Sequence, residues 1–331
     1  MPDSTPPVTP AASETPAAPA GPSNLRLRII YGVLGAALLL GSVWFSPWTF
    51  GLFFAFVQAV MLWEFYRMMR AGGYAPTTWI GVGAGTLIFL NQAFSQYIEF
   101  QSANYYIVGN GYTMYPPLAT VGEASGNSAT LANMLVQVWI SRWELLSLVV
   151  LIALMVHSMI RWPQEVKPFE NIGLTILGVI YVSTSMSMLA SIAYEGKHYD
   201  PRRVFALLFL IWASDIGAYA VGRAIGKHKL APQISPGKTW EGWAGGFLMT
   251  LIVGWAVGFM LPDMPLSHRL VAAGVVAVFA PLGDLAESML KRSVGVKDSG
   301  SIMPGHGGLL DRFDAFLLVL PVLALLQLLV G

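Results

Sequence analysis

The sequence contains no cysteine among its 331 residues. Disulfides, thiolate nucleophiles and cysteine-held metals are thereby excluded, and redox compartment leaves no trace in it. Charge is scarce as well. Asp, Glu, Lys and Arg make up 11% of the chain, where soluble domains carry roughly 25%. What charge there is nearly cancels, to a formal +1, so composition implies no nucleic acid or other bulk electrostatic partner. No repeat of fixed period is visible. A secretory leader is not expected either, because the first basic residue is Arg26 and no short apolar run ends in a cleavage site.

What is abundant is apolar. Hydrophobic residues make up 55% of the chain, with a mean hydropathy of +0.60. A bilayer core needs about 20 apolar residues in a helix. Such stretches lie near 29–47, 49–68, 77–96, 144–161, 170–193, 203–223, 240–261, 268–290 and 312–330. The fold class expected is all-α: a polytopic integral membrane protein with about nine transmembrane helices. Asn91 and Gln92 interrupt the third stretch, and Pro321 shortens the last. Three regions follow. Residues 1–24, rich in Pro, Ala, Ser and Thr, lack the apolar bulk to offset ordering entropy and are expected to be a disordered tail. Residues 25–169 hold the N-terminal helices and a long polar connection over 97–141, with a short helix at 131–141. Residues 170–331 form the C-terminal region.

Basic residues near the helix ends set the orientation. With the N-terminus in the cytosol, Arg26, Arg28, Arg67, Arg70, Arg161, Lys167, Arg223, Lys227, Lys229, Lys238, Lys291, Arg292, Lys297 and Arg312 fall inside. Arg142, Lys197, Arg202, Arg203 and Arg269 fall outside, which accounts for all 19 basic residues. The C-terminus is then outside. The two most polar late connections, 223–239 and 291–311, face the cytosol, where nucleoside triphosphates are.

Ionisable groups within spans are costly, about 2.5–3.5 kcal/mol for Asp near a helix centre. Asp215 falls in the sixth predicted span, and Asp284 and Glu287 in the eighth. A packing hydrogen bond or an interfacial helix end would explain any one of them. Three acids beside basic cytosolic loops point to a site instead. Asp284, Glu287, Ser288 and Lys291 stand at i, i+3, i+4 and i+7, one face of a helix. That stripe suits a lipid headgroup or a metal with its phosphate ligand; an internal Glu287–Lys291 ladder is the alternative. Beyond it, Gly305, Gly307 and Gly308 permit close backbone approach and an anion site built of amides. Asp311, Arg312 and Asp314 then open the last span. Carboxylates bracketing a basic, Gly-rich loop are what Mg²⁺-assisted phosphoryl or nucleotidyl transfer requires.

The segment Gln233–Gly242 (QISPGKTWEG) is not a P-loop, because Pro232 stands where the first glycine is needed and no strand is expected before it. Ser235, Lys238 and Thr239 are phosphate contacts on one reading and the capped start of a helix on the other. Glu64, with Arg67 at i+3, and His157, with Arg161 at i+4, are assigned to packing or interface roles.

The run Ser288, Lys291–Arg292, Lys297–Asp298, Pro304, His306–Gly307–Gly308, Asp311–Arg312 and Asp314 resembles the phosphatidate cytidylyltransferase signature at each fixed position. Met303 departs from it mildly, an apolar filler where the family has Leu, Ile or Phe. The surroundings of Asp215 and of Ser235–Thr239 resemble the family too, and the similarity runs over about 170–331. The resemblance implies a nine-span helical fold, dependence on Mg²⁺, and attack of a phosphatidate oxygen on the α-phosphorus of CTP with loss of pyrophosphate. Asp284 and Asp311 would be the principal metal ligands, with room left for a second cation. Lys297, Asp298, His306 and Asp314 would join them in the catalytic set. Asp215, Ser235, Lys238, Thr239, Glu287, Ser288, Lys291, Arg292, Gly307, Gly308 and Arg312 would contact CTP or the lipid. A homodimer in a bacterial cytoplasmic membrane completes the expectation. An ion-coupled transporter built on Asp215 and Asp284 is the rival from another class, and a CTP-dependent lipid kinase the nearer one.

Overall fold

The computed structural model describes residues 24–109, 143–195, 198–300, 302 and 307–330. The expected tail up to residue 23, the expected helix at 131–141, Met303, Pro304, Gly305 and His306 lie outside these residues. In chain order the helices are α1 (Asn24–Phe45), α2 (Pro47–Ala71), α3 (Thr78–Gly109), α4 (Trp143–Ile160), α5 (Pro168–Gly178) and α6 (Ser185–Ile192). They continue with α7 (Pro201–Ile225), α8 (Trp240–Ala256), α9 (Leu266–Ser293) and α10 (Leu310–Val330). A π-helical turn, Val179–Thr184, joins α5 to α6, and a 3-10 turn, Val257–Phe259, extends α8.

Among the described residues, five helical stretches are long and apolar enough to cross a membrane: α2, Pro168–Ile192, α7, Trp240–Phe259 and α9. The chain is therefore mostly helical with membrane-spanning character.

Two details go beyond the expectation. The chain is not wholly α-helical. Tyr194–Glu195 (β1) pairs with His198–Tyr199 (β2), and Lys229–Ala231 (β3) with Ser235–Thr239 (β4), both antiparallel. Pro232 and Pro236 make the second of these segments incapable of continuing a helix. The polar connection also begins later than residue 97, because α3 runs on to Gly109. No glycine or proline falls between Thr86 and Val108, so nothing in the backbone stops the helix where the hydropathy drops.

Local signals place the ends. Ser46 and Thr49 form a reciprocal capping box ahead of α2, with Pro47 in its first turn. Asp200 caps α7 by accepting from the Arg202 N–H at 3.0 Å, and its carboxylate also takes the Arg202 guanidinium at 2.8 Å. Burial alone would raise the Asp200 carboxyl, but the hydrogen bonds and charge of Arg202 hold it below the usual range.

The core is aromatic and aliphatic, centred on Phe50, Phe54, Met61, Leu62, Phe65 and Phe89 with Met186, Leu189, Leu208 and Leu310. Some polar groups inside it are paired across helices. The Gln58 amide bridges the hydroxyls of Thr86 (3.0 Å) and Ser183 (2.7 Å), and the Tyr66 hydroxyl donates to the Thr175 carbonyl at 2.7 Å. Small residues let α7 and α8 cross closely, as is common where lipid supplies no hydrophobic drive. A Cβ on Gly246 would lie 2.6 Å from the Ser214 carbonyl oxygen, and one on Gly217 would lie 2.7 Å from Met249 Cβ.

Candidate active site

Three pieces of chain converge where the hairpin β3–β4, the C-terminal half of α9 and the start of α10 meet. The hairpin is fastened first. The Glu241 carboxylate, in the first turn of α8, accepts from the backbone N–H groups of Lys227 (3.1 Å) and His228 (3.2 Å). Its other oxygen lies 2.5 Å from His228 Nδ1. Thr239 caps α8 by accepting from the Gly242 N–H at 3.1 Å. So held, the strand turns Lys238 toward α9, where its Nζ lies 2.6 Å from Asp284 Oδ2 and 3.2 Å from the Pro281 carbonyl oxygen. The helix-capping reading of Thr239 is correct, and Lys238 does more than cap. The sequence-stretch 235–239 is itself a strand, with Pro236 and Gly237 exposed at its bend.

The stripe on α9 forms as its spacing predicts. Ser288 Oγ donates to Asp284 Oδ1 at 3.2 Å. Lys291 Nζ lies 2.5 Å from Glu287 Oε2 and 2.7 Å from Asp311 Oδ1, so one ammonium ties α9 to α10. Glu287 is fully buried, and its Oε1 has no hydrogen-bond partner among the described residues. By the 1.5 Å rise per residue, Asp284 stands about 13 Å along the helix from its C-terminal end at Ser293.

Asp311 is clasped by the loop. Its Oδ2 accepts from the Gly308 N–H (2.8 Å), the Ser299 N–H (3.1 Å) and Ser299 Oγ (2.9 Å). Gly307 adopts φ +81°, and a Cβ there would come within 2.7 Å of Asp311 Oδ2. Glycine is required at this position both for the left-handed backbone and for the close approach to the carboxylate.

Asp314 joins a different group from the one expected for Asp311. Ligand oxygens of Asp284, Glu287 and Asp314 lie within 4.8 Å of one another, as a metal's ligands would. The cause lies in Gly283. A Cβ there would be 2.6 Å from the Asp314 carbonyl oxygen and 3.0 Å from the Ala315 Cα, so only glycine lets α9 and α10 approach this closely. Asp311 is the neighbour of this triad rather than its member, joined to it through Glu287 and Lys291.

Asp215, on α7, lies in the field of Asp284 and Lys238, and Asp314 in that of both Asp284 and Asp215. Among the described residues the cluster therefore holds five carboxyl groups (Asp215, Asp284, Glu287, Asp311, Asp314) and two ammonium groups, those of Lys238 and Lys291. Hard oxygen donors in excess of cations, one carboxylate oxygen without a partner, and a 4.8 Å triad fit a divalent cation.

Most of the other predicted residues are exposed. Lys297 and Asp298 are exposed, and Arg292 is exposed with its guanidinium donating to the Val296 carbonyl at 3.3 Å. Arg312 is exposed on the first turn of α10. These groups line the rim of the loop. Ser235 sits partly buried at the far end of the hairpin strand, paired with Ala231.

Two side chains near the cluster were not anticipated as site residues. Tyr181 lies in the π-helical turn, a feature frequent at functional sites, and sits in the field of Glu287 and Asp314. Glu64, assigned to packing or an interface, is fully buried, with its Oε2 accepting from the Leu310 N–H at 2.8 Å. The only sequence signal for Glu64 was an acid inside an apolar span.

Residues 108–330 match the cytidylyltransferase family. A phosphatidate cytidylyltransferase of Bacillus subtilis (strain 168) is 33% identical over 303 residues, covering 91% of this chain and 96% of that one. One from Staphylococcus saprophyticus is 44% identical over 159 residues, 48% of this chain and 60% of its own. One from Staphylococcus haemolyticus is 38% identical over 189 residues, 57% of this chain and 71% of its own.

Proposed function

The chain belongs to the cytidylyltransferase family, and on that footing we propose that it transfers CMP from CTP to phosphatidic acid, giving CDP-diacylglycerol and pyrophosphate for phospholipid synthesis. One observation carries the reading beyond family membership. Asp284, Glu287 and Asp314 converge beside Lys238 within a helical membrane protein, at the foot of a Gly-rich loop with a basic rim.

In the reaction a phosphatidate phosphate oxygen attacks the α-phosphorus of CTP. The new P–O bond forms as the bond from the α-phosphorus to the bridging oxygen breaks, and pyrophosphate leaves with that electron pair. A phosphomonoester, with a second pKa near 6, is already largely dianionic at neutral pH, so no strong general base is needed. The work left to the protein is alignment and charge neutralisation.

Asp284, Glu287 and Asp314 would hold Mg²⁺, with Asp311 next to them, and a bound Mg²⁺ supplies Lewis-acid polarisation of phosphoryl oxygens. Lys238, from strand β4, and Lys291, from α9, then bracket the reacting phosphates. Arg292, Lys297 and Arg312 on the rim receive the triphosphate arriving from water, with Asp298 and His306 on the same loop. Ser288 and Asp215 face the deeper, lipid-side part of the site. Ser235 and Thr239 keep the hairpin in the shape that delivers Lys238, and Gly307 and Gly308 keep the amides turned toward Asp311.

The chain crosses a bacterial cytoplasmic membrane nine times, N-terminus inside and C-terminus outside, with this site open to the cytosol. The basic-residue bias supports that orientation. It works as a homodimer, the composition of each site coming from one chain.

The test is direct. Purified protein in detergent–lipid micelles, given CTP labelled at the α-phosphorus, phosphatidic acid and Mg²⁺, should yield a labelled CDP-lipid and one pyrophosphate per turnover. Release of CDP with a phosphorylated lipid would identify a kinase instead. Absence of any lipid product would overturn the reading.

A further inference from the structure

Glu64 stands on α2, outside the residues 108–330 that match the family. Its side chain is fully buried, and a buried ionisable group in a membrane helix is retained only against a considerable penalty. Its contacts are not with its own helix's neighbours in sequence but with the loop that ends at α10. Oε2 accepts from the Leu310 N–H at 2.8 Å, and Ser299 Oγ lies 3.4 Å away. The same Ser299 hydroxyl makes a shorter bond, 2.9 Å, to Asp311 Oδ2. One hydroxyl thus stands between the Glu64 and Asp311 carboxyl groups.

The loop is shaped around this side chain. A Cβ on Gly300 would collide with Glu64 Oε1, and one on Gly308 would lie 2.5 Å from Glu64 Oε2. Ser299 and Gly308, the residues that clasp Asp311, are therefore also the residues that rest on Glu64 or beside it. We infer that Glu64 is a positioning residue for the two segments Ser299–Gly300 and Gly308–Leu310: both rest on it, and through Ser299 and Gly308 it fixes the Asp311 carboxylate for CMP transfer. It touches no reacting atom. This role rests on the reading of the loop as part of the active site.

The test uses the full-length protein in detergent–lipid micelles, as Glu64→Ala and Glu64→Gln. Two readouts are needed: amide hydrogen exchange over 295–312, and kcat and KM for CTP and phosphatidate. Glu64→Ala should speed exchange at Ser299, Gly308 and Leu310 by about tenfold, the worth of one buried hydrogen bond. It should lower kcat by at least about tenfold through misalignment, with KM for phosphatidate unchanged. Glu64→Gln keeps an oxygen for the Leu310 N–H and should return both readouts to within about threefold of wild type. Wild-type exchange in Glu64→Ala, or a Gln variant no better than the Ala variant, would overturn the inference. Should Glu64→Ala fail to accumulate, Gly300→Ala serves in its place. Its clash with Glu64 should speed exchange likewise, and adding Glu64→Asp, whose shorter side chain makes room, should slow it again. Wild-type exchange in Gly300→Ala would be equally fatal. Exchange is read without any product, so a wild-type protein that made no CDP-lipid would bring down the assigned activity while the loop's dependence on Glu64 was still measured.

Discussion

At the scale of single residues the cluster is short of positive charge. Asp284 has Lys238 on one oxygen at 2.6 Å and the Ser288 hydroxyl on the other at 3.2 Å. Asp314 accepts from the N–H of its own neighbour Ala315, at 2.7 Å. A cation held between these carboxylates is neutralised by both, so removing either charge forfeits several kcal/mol of stabilisation where phosphoryl charge develops. Asp284→Asn and Asp314→Asn should each lower turnover at least ~10²-fold while the protein still inserts, as initial rates on equal amounts of purified protein will show. Near-normal turnover in Asp314→Asn would remove it from the ligand set and return that place to Asp311. The stripe Asp284–Lys291 was legible in the sequence because helical spacing alone puts those residues on one face. The preference of Asp314 for that stripe was not, because it depends on how closely two helices approach. That distance is set by Gly283, whose significance appears only when the Asp314 carbonyl lies 2.6 Å from where its Cβ would be. Glu64 is packed inside the fold as expected, but its partners, Ser299 and Leu310, are remote in sequence and could not be read from it.

At the scale of elements, the hairpin β3–β4 and the crossing of α7 with α8 together deliver Lys238. Gly217, Gly222, Gly242 and Gly246 line that crossing, with backbone from one helix against the Cα of the other. Gly246→Val puts two methyl groups where the Ser214 carbonyl stands. Overpacking of this kind destabilises by about 1–3 kcal/mol, so the melting temperature in detergent should fall and activity should fall at temperatures where the protein is still folded. A variant with unchanged melting and turnover would mean that the two helices are not held at this distance. Helix positions were readable from hydropathy because each apolar run is bounded by Pro, Gly or charge. The hairpin was not, since five residues of strand carry too few side chains to show alternation. The overlong α3 was missed for the converse reason, a helix continuing where polarity suggested its end.

At the scale of the whole molecule, orientation decides which substrates the site can meet. The basic residues divide 14 to 5 between the two sides of the predicted topology, the sum being the chain's 19 Lys and Arg. A reporter active only in the cytosol should be silent when fused after Gly331 and active when fused to a chain ended after Pro232. The reverse pattern would put the Gly-rich loop on the side without CTP and would overturn the cytosolic placement. The orientation is argued from counts rather than contacts, and the reporter fusions decide it.

The depth of Asp284 has a kinetic consequence. On the proposed orientation its carboxylate lies about 13 Å along α9 from the end at Ser293 that faces the cytosol, so a lipid phosphate is expected to sink to react. The liponucleotide that results carries a larger polar head than the lipid that entered, and it has to rise through the same distance with its nucleoside attached. Departure, rather than bond making, is then expected to set the pace, as product release does in many enzymes. Mixing saturating CTP and phosphatidate with the protein in a rapid-quench device should therefore give a fast first turnover, about one CDP-lipid per site, followed by a slower steady rate. A linear time course from the first millisecond would mean that the head group leaves as readily as it arrives.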